Sequence, residues 1–236
     1  MRVTGIETGA GTRTEDVHQA LRKDLLNGRI APGERLKLVD LSTRFASSQS
    51  VIREALSRLA ETGLVIATPQ RGFSVRELSV DDVAALTEAR VQIESVTLRL
   101  AMKRGDIHWE TRVLSTHHLL ENTPVALENR EFNEEWSVRH NDFHRALLSG
   151  CGNPHLEGVA TGLRDCAELY RRWYWAFIDD SARDIPTEHR LLKELTLAHE
   201  TDAAVALLRS HIERAPLKLA AYAAEHGTAA VENTSR

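Results

Sequence analysis

Apolar residues recur at helical spacing in Val17, Ala20, Leu21, Leu25 and Leu26, which predicts a helix over 16–27 that stops at Asn27-Gly28. Ala31-Pro32-Gly33 then reads as a turn. A short helix fits 39–45, and a polar stretch follows it, Ala46-Ser47-Ser48-Gln49. A third helix is expected over 50–62, with Val51, Ile52, Ala55, Leu56 and Leu59 on one side and Gly63 at its end. Leu64-Val65-Ile66 and Phe73-Ser74-Val75 are β-rich, and Thr68-Pro69-Gln70-Arg71-Gly72 between them predicts a hairpin. Three helices and a hairpin in so short a span form a winged helix-turn-helix.

From Ser79 onward the pattern is helical throughout. Six segments are expected, over 79–104, 107–122, 128–150, 153–179, 184–199 and 201–225. Breakers divide them at Arg104-Gly105-Asp106, Thr123-Pro124, Gly150 to Pro154 and Asp184-Ile185-Pro186. The expected fold class is therefore mainly α: a winged helix-turn-helix over 15–78, then an all-helical antiparallel bundle over 79–226. Residues 1–14 and 227–236 are expected to be disordered tails, being rich in small and polar residues.

Composition changes this picture little, and charge changes it more. Hydrophobic residues make up 42% of the 236 and charged residues 27%, as in an ordinary globular protein. No apolar run is long enough to span a membrane. Cys151 and Cys166 are the only cysteines and have no CxxC spacing, so two buried thiols in a reducing cytoplasm are expected. The net charge of −4 disfavours nucleic acid until it is divided along the chain. Residues 1–78 carry +3 and residues 79–236 carry −7. The positive share lies where a DNA-reading unit needs it.

Within the third helix the apolar back can pack on the first two helices. The front presents Ser48, Gln49, Ser50 and Arg53. Serine hydroxyls at a helix N-terminus suit phosphate oxygens, Gln49 suits adenine, and Arg53 suits guanine or phosphate. Arg71 and Gly72 at the hairpin tip suit a minor groove. Singly, each of these residues fits a solvated helix face equally well. Their order along the chain is what points to an operator.

The same stretches carry a resemblance. Ile30-Ala31-Pro32-Gly33-Glu34-Arg35-Leu36, the run Ser48 to Leu56, Leu59 to Val65 and Arg71 to Val75 resemble the GntR family of bacterial regulators. One departure is Ser48-Gln49-Ser50, where the family often has Ser-Arg-Thr. Losing that arginine removes a strong guanine or phosphate contact, so the operator is expected to differ from the commonest family site.

The second half contains four histidines at suggestive spacings. His140 and His144 stand at i and i+4 on one helix face, and His189 and His211 lie on two further helices. Three helices of one bundle can bring such imidazoles to one cation, although 11 histidines will produce some i, i+4 pairs by chance. Here too there is a resemblance. Glu88 to Glu94, Asp142 to Leu147, Gly152 to Leu156, Glu188-His189-Arg190 and Leu208 to Ile212 resemble the FCD effector domain of the FadR branch, in its six-helix, VanR-like form. That resemblance implies a divalent metal on an Asp, a His four residues later and two more His. His144, His189 and His211 match the histidines, and His140 stands where the family has Asp. A histidine-rich set favours Zn or Ni, and the family implies a small organic acid as effector, with Arg90 as its carboxylate partner. The alternative for Arg90 is an ion pair with Glu94 at i+4.

The function so implied is a dimeric transcription regulator, a repressor by default, that binds a palindromic double-stranded operator and responds to the acid. Two other readings compete with it: a regulator whose metal is structural or is itself the signal, and a helical metalloenzyme. The chain has no HExxH and no carboxylate pair at di-metal spacing, which weighs against the enzyme. Arg171-Arg172-Trp173-Tyr174-Trp175 is read as core and dimer packing rather than as a basic-aromatic patch.

Overall fold

The computed structural model describes residues 10–26, 29–77, 79–127, 132–177 and 184–226. The chain divides after residue 78 into two compact units. Asn27-Gly28, the C-terminal tail, and the side chains of Arg172, Trp173, Tyr174 and Trp175 lie outside what is described.

The first unit contains α1 (Ala10–Leu26), β1 (Arg35–Leu36), α2 (Leu38–Arg44), α3 (Gln49–Glu61), β2 (Val65–Thr68) and β3 (Gly72–Val75). The sheet order is β1-β3-β2, with both pairings antiparallel. β1 has too few residues to show a period of two, so alternation along the sequence gives no sign of it. It pairs because Arg35 and Leu36 fall opposite Ser74 and Phe73. Leu21, Leu25, Ile52, Leu56, Leu59, Leu64 and Val75 form the core and are almost completely buried.

α1 starts at Ala10, inside the stretch expected as a tail. Tertiary bonds order its first described turns. Arg13 donates to Ser47 Oγ at 2.9 Å, and Glu15 pairs with Arg58 at 2.7 Å. Thr14 is buried.

The second unit contains α4 (Val80–Arg104), α5 (Ile107–Glu121), α6 (Glu134–Leu148), a 3-10 turn (Ser149–Cys151), α7 (Pro154–Phe177), α8 (Ile185–Leu197) and α9 (Thr201–His226). Ser79, Asp106, Asn133 and Asp184 cap α4, α5, α6 and α8, each accepting a backbone N–H in the first turn. α6 begins at Glu134, later than the periodicity suggests. Ala126 forms a β-bridge with Phe132, and Asn133 then starts the helix. Cys151 and Cys166 are both buried.

Trp109 anchors the core of this unit. It is 1% exposed, and its indole N–H donates to the Ala146 carbonyl at 2.8 Å. Gly105 and Gly150 leave space for the ring. A β-carbon at Gly150 would approach it to 2.8 Å, and one at Gly105 would overlap it. Gly105→Ala is therefore expected to destabilise this unit by about 1–3 kcal/mol, as overpacked cores do. A denaturant midpoint equal to wild type would show that the indole can yield at no cost.

Candidate metal centre and DNA-reading surface

α6 presents Trp136, His140 and His144 one turn apart on its buried face. His189 lies near the start of α8, and His211 lies within α9. Packing brings the four imidazoles together, with one potential ligand atom from each, all within 4.8 Å of one another. His140, His144 and His189 are buried, and His211 is half-buried. His144 Nε2 lies 3.3 Å from His189 Nε2. Adjacent nitrogens on a tetrahedral cation at the usual bond length are about 3.3 Å apart, so this pair has the spacing of two ligands.

The electrostatics fit as well. Burial holds the His140 and His144 pKa values well below the ordinary imidazole range. Arg171 adds to this at His140, and Arg164 adds to it at His144. Both rings are therefore neutral, the form that ligates. His140 Nδ1 is buried without a hydrogen-bond partner among the described residues. Its ring stacks on Trp136, with centroids 4.7 Å apart. The histidine that stands in the family's Asp position thus faces its three companions. His211 Nδ1 lies 2.9 Å from Glu188 Oε2, and Arg214 donates to the other oxygen of Glu188. A carboxylate behind an imidazole fixes its tautomer and raises its basicity, and it leaves ligation to Nε2.

A buried ion-pair network adjoins this cluster. Glu94 is fully buried and accepts from Arg90 Nε at 2.6 Å and from Arg164 Nη1 at 3.0 Å. The two guanidinium groups outweigh its desolvation and hold its pKa below the usual range. Arg90 is thus joined to Glu94, and the pair is nearly buried rather than on the surface. Glu168 takes bonds from Ser137, Asn141 and Arg171. Arg171 also lies over the Trp136 ring at 4.9 Å. Arg164, Glu168, Arg171 and Glu188 were not among the residues expected at the site. A signal for the first three was present, because Ala160, Arg164, Glu168 and Arg171 fall on one face of α7, and three of these four are charged.

In the first unit, Ser48 is the N-cap of α3 and accepts from Val51 N at 3.3 Å. Gln49, Ser50 and Arg53 are exposed on its first turns, while Ile52, Ala55, Leu56 and Leu59 are buried behind them. A hydroxyl that accepts at the cap can still donate outward to a phosphate. Arg71 and Gly72 are exposed at the hairpin tip, where Gln70 and Gly72 take positive φ. The Arg71 carbonyl accepts from Arg35 at 2.8 Å, which ties the tip to β1.

Comparison with known proteins agrees with both units. Residues 13–75 match the gntR family of bacterial regulatory proteins, and residues 85–214 match the FCD domain. The HTH-type transcriptional regulator BphR of Paraburkholderia xenovorans is 38% identical over 206 residues, covering 84% of this chain and 82% of that protein. The HTH-type transcriptional repressor GlaR of Escherichia coli is 31% identical over 201 residues, covering 84% and 91%. Among solved structures, the E. coli protein McbR/YncC shares the fold with a TM-score of 0.72 at 19% identity, covering 89% of this chain and 97% of that one. Among the described residues no helix is long and apolar enough to cross a membrane. The chain is a DNA-binding transcription regulator, not an enzyme, and it belongs to the gntR family of bacterial regulatory proteins, with an FCD domain as its second unit.

Proposed function

We propose that the protein is a repressor that binds a palindromic operator as a dimer and releases it when a small carboxylate metabolite enters a metal-containing pocket in the helical unit. The observation that carries this reading is the cluster of four imidazoles in that unit, two of which, His140 and His144, burial holds well below the ordinary imidazole pKa range. Zn or Ni suits four nitrogen donors, and His140, His144, His189 and His211 are the residues that would hold it. When bound, the cation would supply a Lewis-acidic partner for a carboxylate. The acid acts on DNA binding only if it prefers one arrangement of the protein over the other.

A second reading has its own support. Four histidines can close a tetrahedral shell, and a closed shell is the mark of a structural metal. Metal titrated against operator affinity, with and without carboxylic acids, separates the two. An acid that shifts affinity only in metal-loaded protein supports the sensor, whereas a shift with metal alone supports the second reading.

Metal content is the first test. Untagged protein is expected to retain about one Zn or Ni per chain, and His189→Ala is expected to lose it. An unaltered content in that variant would remove His189 from the site. On the DNA side, Ser48, Gln49, Ser50, Arg53, Arg71 and Gly72 are assigned to the operator. Arg53→Ala is expected to weaken binding by about 1–3 kcal/mol if the guanidinium reads a base, with a lower salt slope if it meets a phosphate. Unchanged affinity and salt dependence would take α3 away from the groove.

A further inference from the structure

The turn between α2 and α3 sets where the reading helix begins, because Ser48, the N-cap of α3, follows it directly. Its residues are Phe45, Ala46 and Ser47. Ala46 has a φ of 45°, in the left-handed region where a β-carbon is crowded by the backbone and glycine is the usual occupant. The turn is thus held in a conformation that its own sequence disfavours. Carbonyls at such a junction also need donors from outside the helix ladder.

Arg13 supplies those donors from α1. Its Nη2 donates to the Phe45 carbonyl at 2.5 Å and to the Ala46 carbonyl at 3.2 Å, and its Nε donates to Ser47 Oγ at 2.9 Å. Ser47 Oγ donates in turn to the Phe45 carbonyl at 3.1 Å. One guanidinium therefore spans the whole turn from more than 30 residues away. Its planar fork is preorganised, so it loses little freedom for each bond formed. The start of α1 is itself fixed on α3. Glu15 pairs with Arg58 at 2.7 Å, and Thr14 donates to Glu54 at 3.4 Å.

Placement matters because the side chains at the start of α3 are short. Ser48, Gln49 and Ser50 are exposed there. A long arginine can reach for its base when the helix shifts, whereas a serine or glutamine cannot follow. Such contacts need placement within about 0.5 Å. We propose that Arg13 is a positioning residue for DNA reading: it pins the left-handed turn at Ala46 and so fixes where Ser48, Gln49 and Ser50 meet the operator. This rests on the assignment of α3 to the groove made above. Arg13 acts through the turn and requires no contact with DNA of its own.

Fluorescence anisotropy with the full chain tests this. The probes are a duplex that the wild-type chain enriches from a randomised pool, and a scrambled duplex of the same base composition. Arg13→Ala is expected to bind the enriched duplex about tenfold more weakly, because base contacts are misplaced. Its affinity for the scrambled duplex should change by about twofold at most, with the salt slope unaltered, because phosphate contacts remain. Ala46→Gly takes the same turn without strain, and Ala46 is exposed, so the change removes no packing. Arg13→Ala combined with Ala46→Gly should therefore return to within about threefold of wild type. Wild-type affinity in Arg13→Ala would overturn the proposal. So would a loss that Ala46→Gly leaves unrepaired. An equal loss on both duplexes with a salt slope lower by about one would overturn it too, making Arg13 a phosphate ligand instead. Arg53→Ala is measured beside these variants. If it binds the enriched duplex as wild type does, the assignment of α3 falls, and this proposal falls with it.

Discussion

Stripped of metal, the helical unit is expected to lose about 1.4 kcal/mol of stability per pH unit for each of His140 and His144 as the pH falls below about 6.5. The sign follows from burial. Both imidazoles have folded-state pKa values well below the ordinary value, because burial disfavours the charged ring and nearby arginines repel it. The unfolded chain takes up those protons near pH 6.5, while the folded chain does not. Unfolding is therefore favoured progressively from that point down to the folded-state values, and both contributions are fully present above it. All four tryptophans belong to the second unit, so urea unfolding followed by indole fluorescence reports on it alone. His140→Gln should remove about half of the slope. A wild-type profile that is flat between pH 7 and pH 5 would mean that the rings protonate in place, and the case for neutral ligands would fail.

Glu94→Ala should be the most destabilising single change in this network, at about 3–5 kcal/mol. The carboxylate is fully buried and binds two arginines. Removing it leaves Arg164, itself 4% exposed, without its main counter-charge. The cost comes from that stranded cation more than from the lost attraction. Glu94→Ala combined with Arg164→Met should therefore recover part of the loss, since an apolar replacement of a whole buried pair is tolerated better than half of it. A single variant within about 1 kcal/mol of wild type would show that water reaches Arg164 and that the network is not sealed.

Much of the fold was legible because helices announce themselves locally. The 3.6-residue period marked α1 to α9, and Gly, Pro and Asp punctuation placed most of their ends within a few residues. The misreadings share one cause. The start of α1 depends on Arg13 and Glu15 meeting Ser47 and Arg58, more than 30 residues away. β1 depends on β3, and the late start of α6 depends on a bridge between Ala126 and Phe132. Pairings of this kind leave no period in the sequence. The candidate site divides in the same way. The i, i+4 spacing put His140 and His144 on one face, His189 and His211 were candidates from their places on two further helices, and the family resemblance implied a metal for the set. Neither revealed that Glu94 would accept both Arg90 and Arg164, or that Glu188 would stand behind His211.

The sequence by itself determined which side chains share a helix face, where most of the helices end, and that a winged helix-turn-helix precedes a helical unit. Backbone geometry fixes those relations over a few residues, so composition and spacing suffice for them. Only the tertiary structure decided that imidazoles from α6, α8 and α9 meet within 4.8 Å, and that burial leaves His140 and His144 neutral. It also decided which arginines keep a buried N–H unused. Those outcomes depend on how the helices pack and on how much water the packing excludes. Desolvation and long-range pairing are properties of that assembly, and no single stretch of chain encodes them.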